Sequence, residues 1–188
     1  MSASATDADL ELIRDIVQRV VDDLAMITDR EFVVEDVSAL RDDKKVAGKS
    51  KIHISFRLGF HLDGQVLHGC ILLPLPAAIS LACYLMMVPD EDVKARRGST
   101  ELDRGSKDAM LEIGNFIGGA TDAAVRNLLN GEVSVRSEGC QGVQADSVPI
   151  FVYQRGTPIV VGEASLKLHS FPAFKMIVQL PVLTRDEE

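Results

Sequence analysis

Asp108-Ala-Met-Leu-Glu112-Ile-Gly-Asn115-Phe-Ile-Gly-Gly119 sets two acids and an amide into an amphipathic helical pattern. At 3.6 residues per turn, positions 108, 112 and 115 return to within about 60° of one another, so the three polar groups share one face. Leu111, Phe116, Ala120, Ala124 and Leu128 recur at helical intervals and are assigned to the apolar side. That assignment turns Asp108, Glu112 and Asn115 toward water or a partner. Gly114, Gly118 and Gly119 lie in the same turns. Each costs a helix interior roughly 1 kcal/mol relative to alanine, so something is expected to approach that backbone closely. A plain solvated face, continued by Asp122 and Arg126, is the competing reading of the stripe.

Outward from this stretch, the periodicity predicts a helix from about Ser106 to Leu129, closed by Asn130-Gly131. A strand at 132–135 follows, then a hairpin of 148–154 with 159–169 joined at Arg155-Gly-Thr-Pro158, and a last strand at 174–182. Upstream, Leu10, Ile13, Val17, Val20, Val21 and Leu24 mark one face of a helix over 7–28, ended by Asp29-Arg30. A strand at 32–37 comes next. A hairpin of 52–62 with 66–73 then turns at Asp63-Gly64, the dipeptide that supplies positive φ angles to a tight turn. A buried helix over 76–87 has proline in its first turn, and the charged stretch 89–106 reads as an exposed connection.

Helix, strand and hairpin thus occur twice in the same order. The expected fold is α+β, a pseudo-duplicated single domain over 1–188 with two long helices packed on an antiparallel β-sheet. Its pseudo-repeats cover about 7–88 and 107–182, joined by the charged loop 89–106. Asp7-x-x-x-Glu11-x-x-Arg14 matches Asp108-x-x-x-Glu112-x-x-Asn115 at an offset of 101 residues, with arginine in place of the amide.

Composition excludes several classes. The 188 residues are 46% hydrophobic and carry a net charge of −8, and the basic clusters stop at the pairs Lys44-Lys45 and Arg96-Arg97. A nucleic-acid partner is therefore not expected. Pro74 and Pro76 divide the apolar run Val66–Val88 into pieces too short to cross a bilayer, so no membrane span is expected. The polar N-terminal residues lack a secretory pattern, and Cys70, Cys83 and Cys140 fit inert reduced thiols; a cytoplasmic location is expected. His53, His61, His68 and His169 lack close ligand spacing, so no resident metal is expected. Ser80 and Ser170 sit in no Gly-x-Ser-x-Gly turn.

The signature of Asp or Ser, three residues, Glu, two residues and Asn, met here as Asp108, Glu112 and Asn115 with the glycines after it, resembles that of the CheC/CheX/FliY group of chemotaxis phosphatases. With one intact copy and one altered copy, the chain looks most like CheX. The resemblance implies a phosphatase that hydrolyses the aspartyl phosphate of a CheY-like response regulator, with Glu112 and Asn115 catalytic and Asp108, Gly118, Gly119 and Asp122 contacting the partner. It implies no cofactor of the chain's own, since the regulator brings its Mg2+ and a lysine for Glu112 to meet. It also implies a homodimer, for which exposed sheet edges would serve.

The chemistry suits these residue types. An acyl phosphate asks chiefly for a water held in line, and an amide oxygen can hold one without adding charge beside an anionic phosphoryl group. One departure stands out. The family pattern has a proline about two dozen residues after the asparagine, whereas Glu138 stands here in Ser-Glu-Gly-Cys-Gln-Gly, read as a longer or reshaped loop. A non-catalytic module that binds or scaffolds a response regulator is the alternative.

Overall fold

A computed structural model describes residues 3–183. Helix α1 (Asp7–Thr28) is opened by Thr6, whose hydroxyl accepts from the Asp9 amide while the Asp9 carboxylate accepts from the Thr6 amide. That box satisfies two amides that would otherwise lack partners at a helix start. Asp9 is fully buried, and Arg41 of strand β2 (Phe32–Asp42) donates to it at 2.7 Å, so the cap also fastens the helix to the sheet. Asp29 closes α1 in the left-handed region at φ 50°.

Strands β3 (Ile52–Leu62) and β4 (Gln65–Pro74) form the expected hairpin around Asp63-Gly64, with φ of 49° and 77° at the turn. Helix α2 (Leu75–Leu85) follows directly, and nearly all its residues are buried. The charged connection contains a short helix, α3 (Asp90–Arg96), held by Val93 in the core. Helix α4 (Arg104–Leu128) is capped by Asp103, which accepts from the Ser106 amide at 2.7 Å. Strands β5 (Ser134–Gln144), β6 (Ile159–Leu168) and β7 (Phe174–Pro181) complete the chain.

All strands, with the two-residue β1 (Ala3–Ser4) at one edge, join one antiparallel sheet in the order β1-β2-β6-β7-β4-β3-β5. Setting β1 aside, the order is symmetric about the β7–β4 pairing. The hairpin β3–β4 takes β5 as its neighbour, and the hairpin β6–β7 takes β2. Helices α1, α2 and α4 cover one face over a core that includes Ile13, Ile16, Phe56, Leu58, Phe60, Ile113 and Ile117. The α+β architecture of two long helices on an antiparallel sheet is therefore present.

Two sequence expectations are corrected. Residues 148–154 are not a strand, because both edges of β6 are already taken, by β2 and by β7. The segment instead crosses the sheet's other face. There Phe151 packs with Cys70, Leu72, Ile159, Val161 and Ile177, while Val148, Ile150 and Val152 point outward. The stretch around Glu138 is strand rather than loop: β5 runs on to Gln144, paired with β3 throughout.

Candidate functional site on helix α4

The buried side of α4 consists of Ala109, Met110, Ile113, Gly114, Ile117, Gly118, Ala120, Thr121, Ala124 and Val125. Asp108, Glu112 and Asn115 are all exposed on the opposite side. Among the described residues, no hydrogen bond or ion pair engages these three side chains. Leu111 corrects the expected apolar stripe, being 49% exposed beside Glu112 and Asn115, while Phe116 and Leu128 are half-buried. Its place inside is taken by Met110, one position earlier. The exposed face is thus an acid, a leucine, an acid and an amide in under two turns, followed by the bare backbone of Gly119.

The three glycines separate into two kinds. A Cβ on Gly114 would lie 3.3 Å from both Phe56 and the Ser137 hydroxyl, and one on Gly118 would lie 3.0 Å from the Ser137 amide. These two let α4 settle onto β5 of its own sheet, so the expected partner contact at Gly118 is replaced by an internal one. A Cβ on Gly119 would meet nothing within 4 Å. Among the described residues, no packing explains a glycine there. Asp122, also expected at a partner contact, is spent internally: it accepts from the Val135 amide at 2.6 Å and from Arg126 at 2.7 Å, tying α4 to the start of β5.

This division predicts opposite responses. Gly118→Ala is expected to lower stability by about 1–3 kcal/mol, since strand backbone cannot move aside. Gly119→Ala is expected to raise it by up to about 1 kcal/mol through helix propensity. Urea unfolding of the two variants beside the wild type measures both.

Behind α4, β5 carries a bulge where its pairing with β3 shifts between Phe56 and Leu58. Gly139 sits there at φ 87°, a conformation that suits a glycine bulge. The Glu138 carbonyl accepts from Arg57 at 2.8 Å, and its carboxylate lies 2.9 Å from Nδ1 of His68, passing over Gly59. Glu138 is therefore a fixture of the sheet. The first-copy residues Asp7, Glu11 and Arg14 are exposed on α1, with Glu11 and Arg14 lining a groove that also holds Asp36 and Asn127.

Other chemistry is poorly placed. Among the described residues, no group of three or more His, Cys, Asp or Glu could hold a metal ion. Burial pushes the Cys70 thiol up to about 12, which keeps it protonated and unreactive. No helix among the described residues is long and apolar enough to cross a membrane.

No family model matches the sequence, and no curated protein matches it either. Solved structures do. FliY from Thermotoga maritima superposes with a TM-score of 0.69 at 15% identity, over 96% of this chain and 93% of that one. The CheC-like fold is therefore the fold of this chain. A chain of the FliG–FliM complex from H. pylori matches with a TM-score of 0.64 at 11% identity, covering 95% of this chain and 96% of the other. A chemotaxis protein CheX from Desulfovibrio desulfuricans gives 0.55 at 14% identity, over 90% and 99% of the two chains. A CheC-like fold thus supports proteins of more than one name, and the reactive features have to be argued from this chain's own residues.

Proposed function

We propose that this chain is a CheX-like member of the CheC/CheX/FliY group that hydrolyses the aspartyl phosphate of a CheY-like response regulator, working in the cytoplasm in chemotaxis-type signalling. The observation that carries the proposal is the pair Glu112 and Asn115, exposed and unbonded on α4 beside a glycine that internal packing leaves unexplained. In this reading α4 lies against the regulator with Gly119 and Leu111 at the contact. The Asn115 amide oxygen accepts a hydrogen bond from the attacking water and aligns it opposite the leaving carboxylate oxygen. Glu112 pairs with a lysine of the regulator, which offsets the repulsion a carboxylate would otherwise exert on the phosphoryl group. The Mg2+ that neutralises phosphoryl charge is held by the regulator. Asp108, one turn before Glu112, meets the rim of the partner.

A second reading, a binding or scaffold module without catalysis, is favoured by Glu138 at the family's proline position and by Arg14 in the first copy. One experiment separates the two. A regulator phosphorylated with acetyl phosphate and freed of excess donor is mixed with substoichiometric protein, and phosphate loss is followed alongside a binding titration. At least tenfold faster loss supports the phosphatase. Phosphorylation-dependent binding at an unchanged rate supports the scaffold, and absence of binding to every regulator of the host removes both. The duplication reading rests on the symmetric strand order and the motif offset. A homodimer through the outer edge of β5 is proposed with it, and sedimentation equilibrium checks that.

A further inference from the structure

A cavity of about 520 Å³ opens where β3 and α2 begin, beside the turn between β6 and β7. Its size lies within the range of small-molecule sites. Four cations line it, Lys49, Lys51, Arg97 and Lys175, against one carboxylate, Glu163, which pairs with Lys175 at 3.2 Å. The other three have no acidic partner among the described residues: Arg97 donates only to neutral oxygens, the Ser80 hydroxyl at 2.5 Å and the Pro76 carbonyl at 3.3 Å. Three positive charges without an acidic partner thus line one cavity in a chain whose net charge is −8, with Arg97 also stacked on the Phe171 ring at 4.0 Å.

Helix α2 begins in the same cavity with Pro74 at its cap and no side chain capping its first amides. The positive end of its dipole is therefore not neutralised from within. His53 supplies an independent pointer. It lines the cavity, is 3% exposed, and makes no hydrogen bond among the described residues. Its ring nitrogens are not sealed from solvent, so they are open to a hydrogen bond with something arriving from the cavity. Burial lowers its pKa, so the ring is neutral and keeps one N–H to donate. Gly48 seats directly on that ring, where a Cβ would collide, and this brings Lys49 and Lys51 to the rim.

We propose that this cavity binds a small organic phosphate, its phosphate held by Lys49, Lys51, His53 and the start of α2, and its apolar body resting on Pro172 and Phe174. A phosphate of about −1.5 to −2 charge matches Lys49 and Lys51 together better than a single carboxylate does. Beside Pro172 and Phe174 the Lys175–Glu163 pair is balanced within itself, which calls for an apolar or planar body there rather than a second anionic group.

Calorimetric titration with adenosine 5′-monophosphate, inorganic phosphate and adenosine, in buffers of matched ionic strength, tests this together with histidine-ring NMR. The expected result is binding in the order monophosphate over phosphate over adenosine, with the His53 resonance moving on phosphate addition. Lys49→Gln/Lys51→Gln, both positions being exposed, should leave the circular dichroism unchanged and weaken monophosphate binding at least tenfold. Equal affinity for adenosine, equal binding by the variant, or a motionless His53 signal would each overturn the proposal.

Discussion

Asn115→Ala is expected to slow regulator dephosphorylation by about 100-fold, a loss of roughly 2.7 kcal/mol in transition-state stabilisation, while leaving the fold intact. The magnitude follows from the task. An aspartyl phosphate has a good leaving group and a loose transition state, so a misplaced water forfeits the orientation that accounts for most of the acceleration. Stability should change by no more than about 0.5 kcal/mol, because the Asn115 side chain is exposed and bonded to nothing among the described residues. Asn115→Asp is the informative companion. It keeps an acceptor oxygen but sets a charge against the phosphoryl group, so it should fall at least as far as alanine. If Asn115→Asp retained wild-type rates, water orientation by a neutral amide would be the wrong account. Circular dichroism and a binding titration run beside the kinetics separate lost chemistry from lost docking, and Glu112→Gln should mainly weaken docking by removing the partner for the regulator's lysine.

Much of the frame was legible from period and punctuation. Asp63-Gly64 announced a hairpin that forms around those residues, and Asn130-Gly131 closed α4 within two residues of its observed end. What failed did so for tertiary reasons. The polar, glycine-rich run from Ser134 to Gln144 has weak intrinsic strand preference, yet it pairs with β3 along its whole length because that edge would otherwise stand open. The alternating run from Val148 to Tyr153 looks like a strand but finds no free edge beside β6, its expected hairpin partner, since β2 and β7 already flank it. At the site, spacing alone placed Asp108, Glu112 and Asn115 on one face. It could not distinguish three glycines of identical sequence character, because the difference lies in whether Ser137 stands opposite them. It also could not find the cavity at α2, where the segment 49–53, the helix start and Phe174 meet from distant parts of the chain.

Gly162→Ala is expected to lower stability by about 2–3 kcal/mol, and by less in a protein that already carries Ile13→Ala. A Cβ on Gly162 of β6 would lie 2.5 Å from Cγ2 of Ile13 and 2.9 Å from its Cδ1. Ile13 is fully buried and branched at Cβ, so Cγ2 cannot swing clear without moving α1. In the other half of the molecule the roles are exchanged. The offset that pairs Asp7 with Asp108 pairs Ile13 with Gly114, and there the helix carries the glycine while the sheet presents the bulky side chain, Phe56. Each helix thus meets the sheet through one large residue and one glycine, and an added methyl is tolerated only where the opposing side chain shrinks. Ile13→Ala alone should cost about 2–5 kcal/mol for the space it empties. The double variant should be less destabilised than the sum of the two by at least about 1 kcal/mol, as expected for residues in direct contact. Urea unfolding of the wild type, both single variants and the double variant measures this coupling. Strict additivity would show that α1 does not bear on β6 through this pair, and that the match between the two halves at Ile13 and Gly114 has no energetic content.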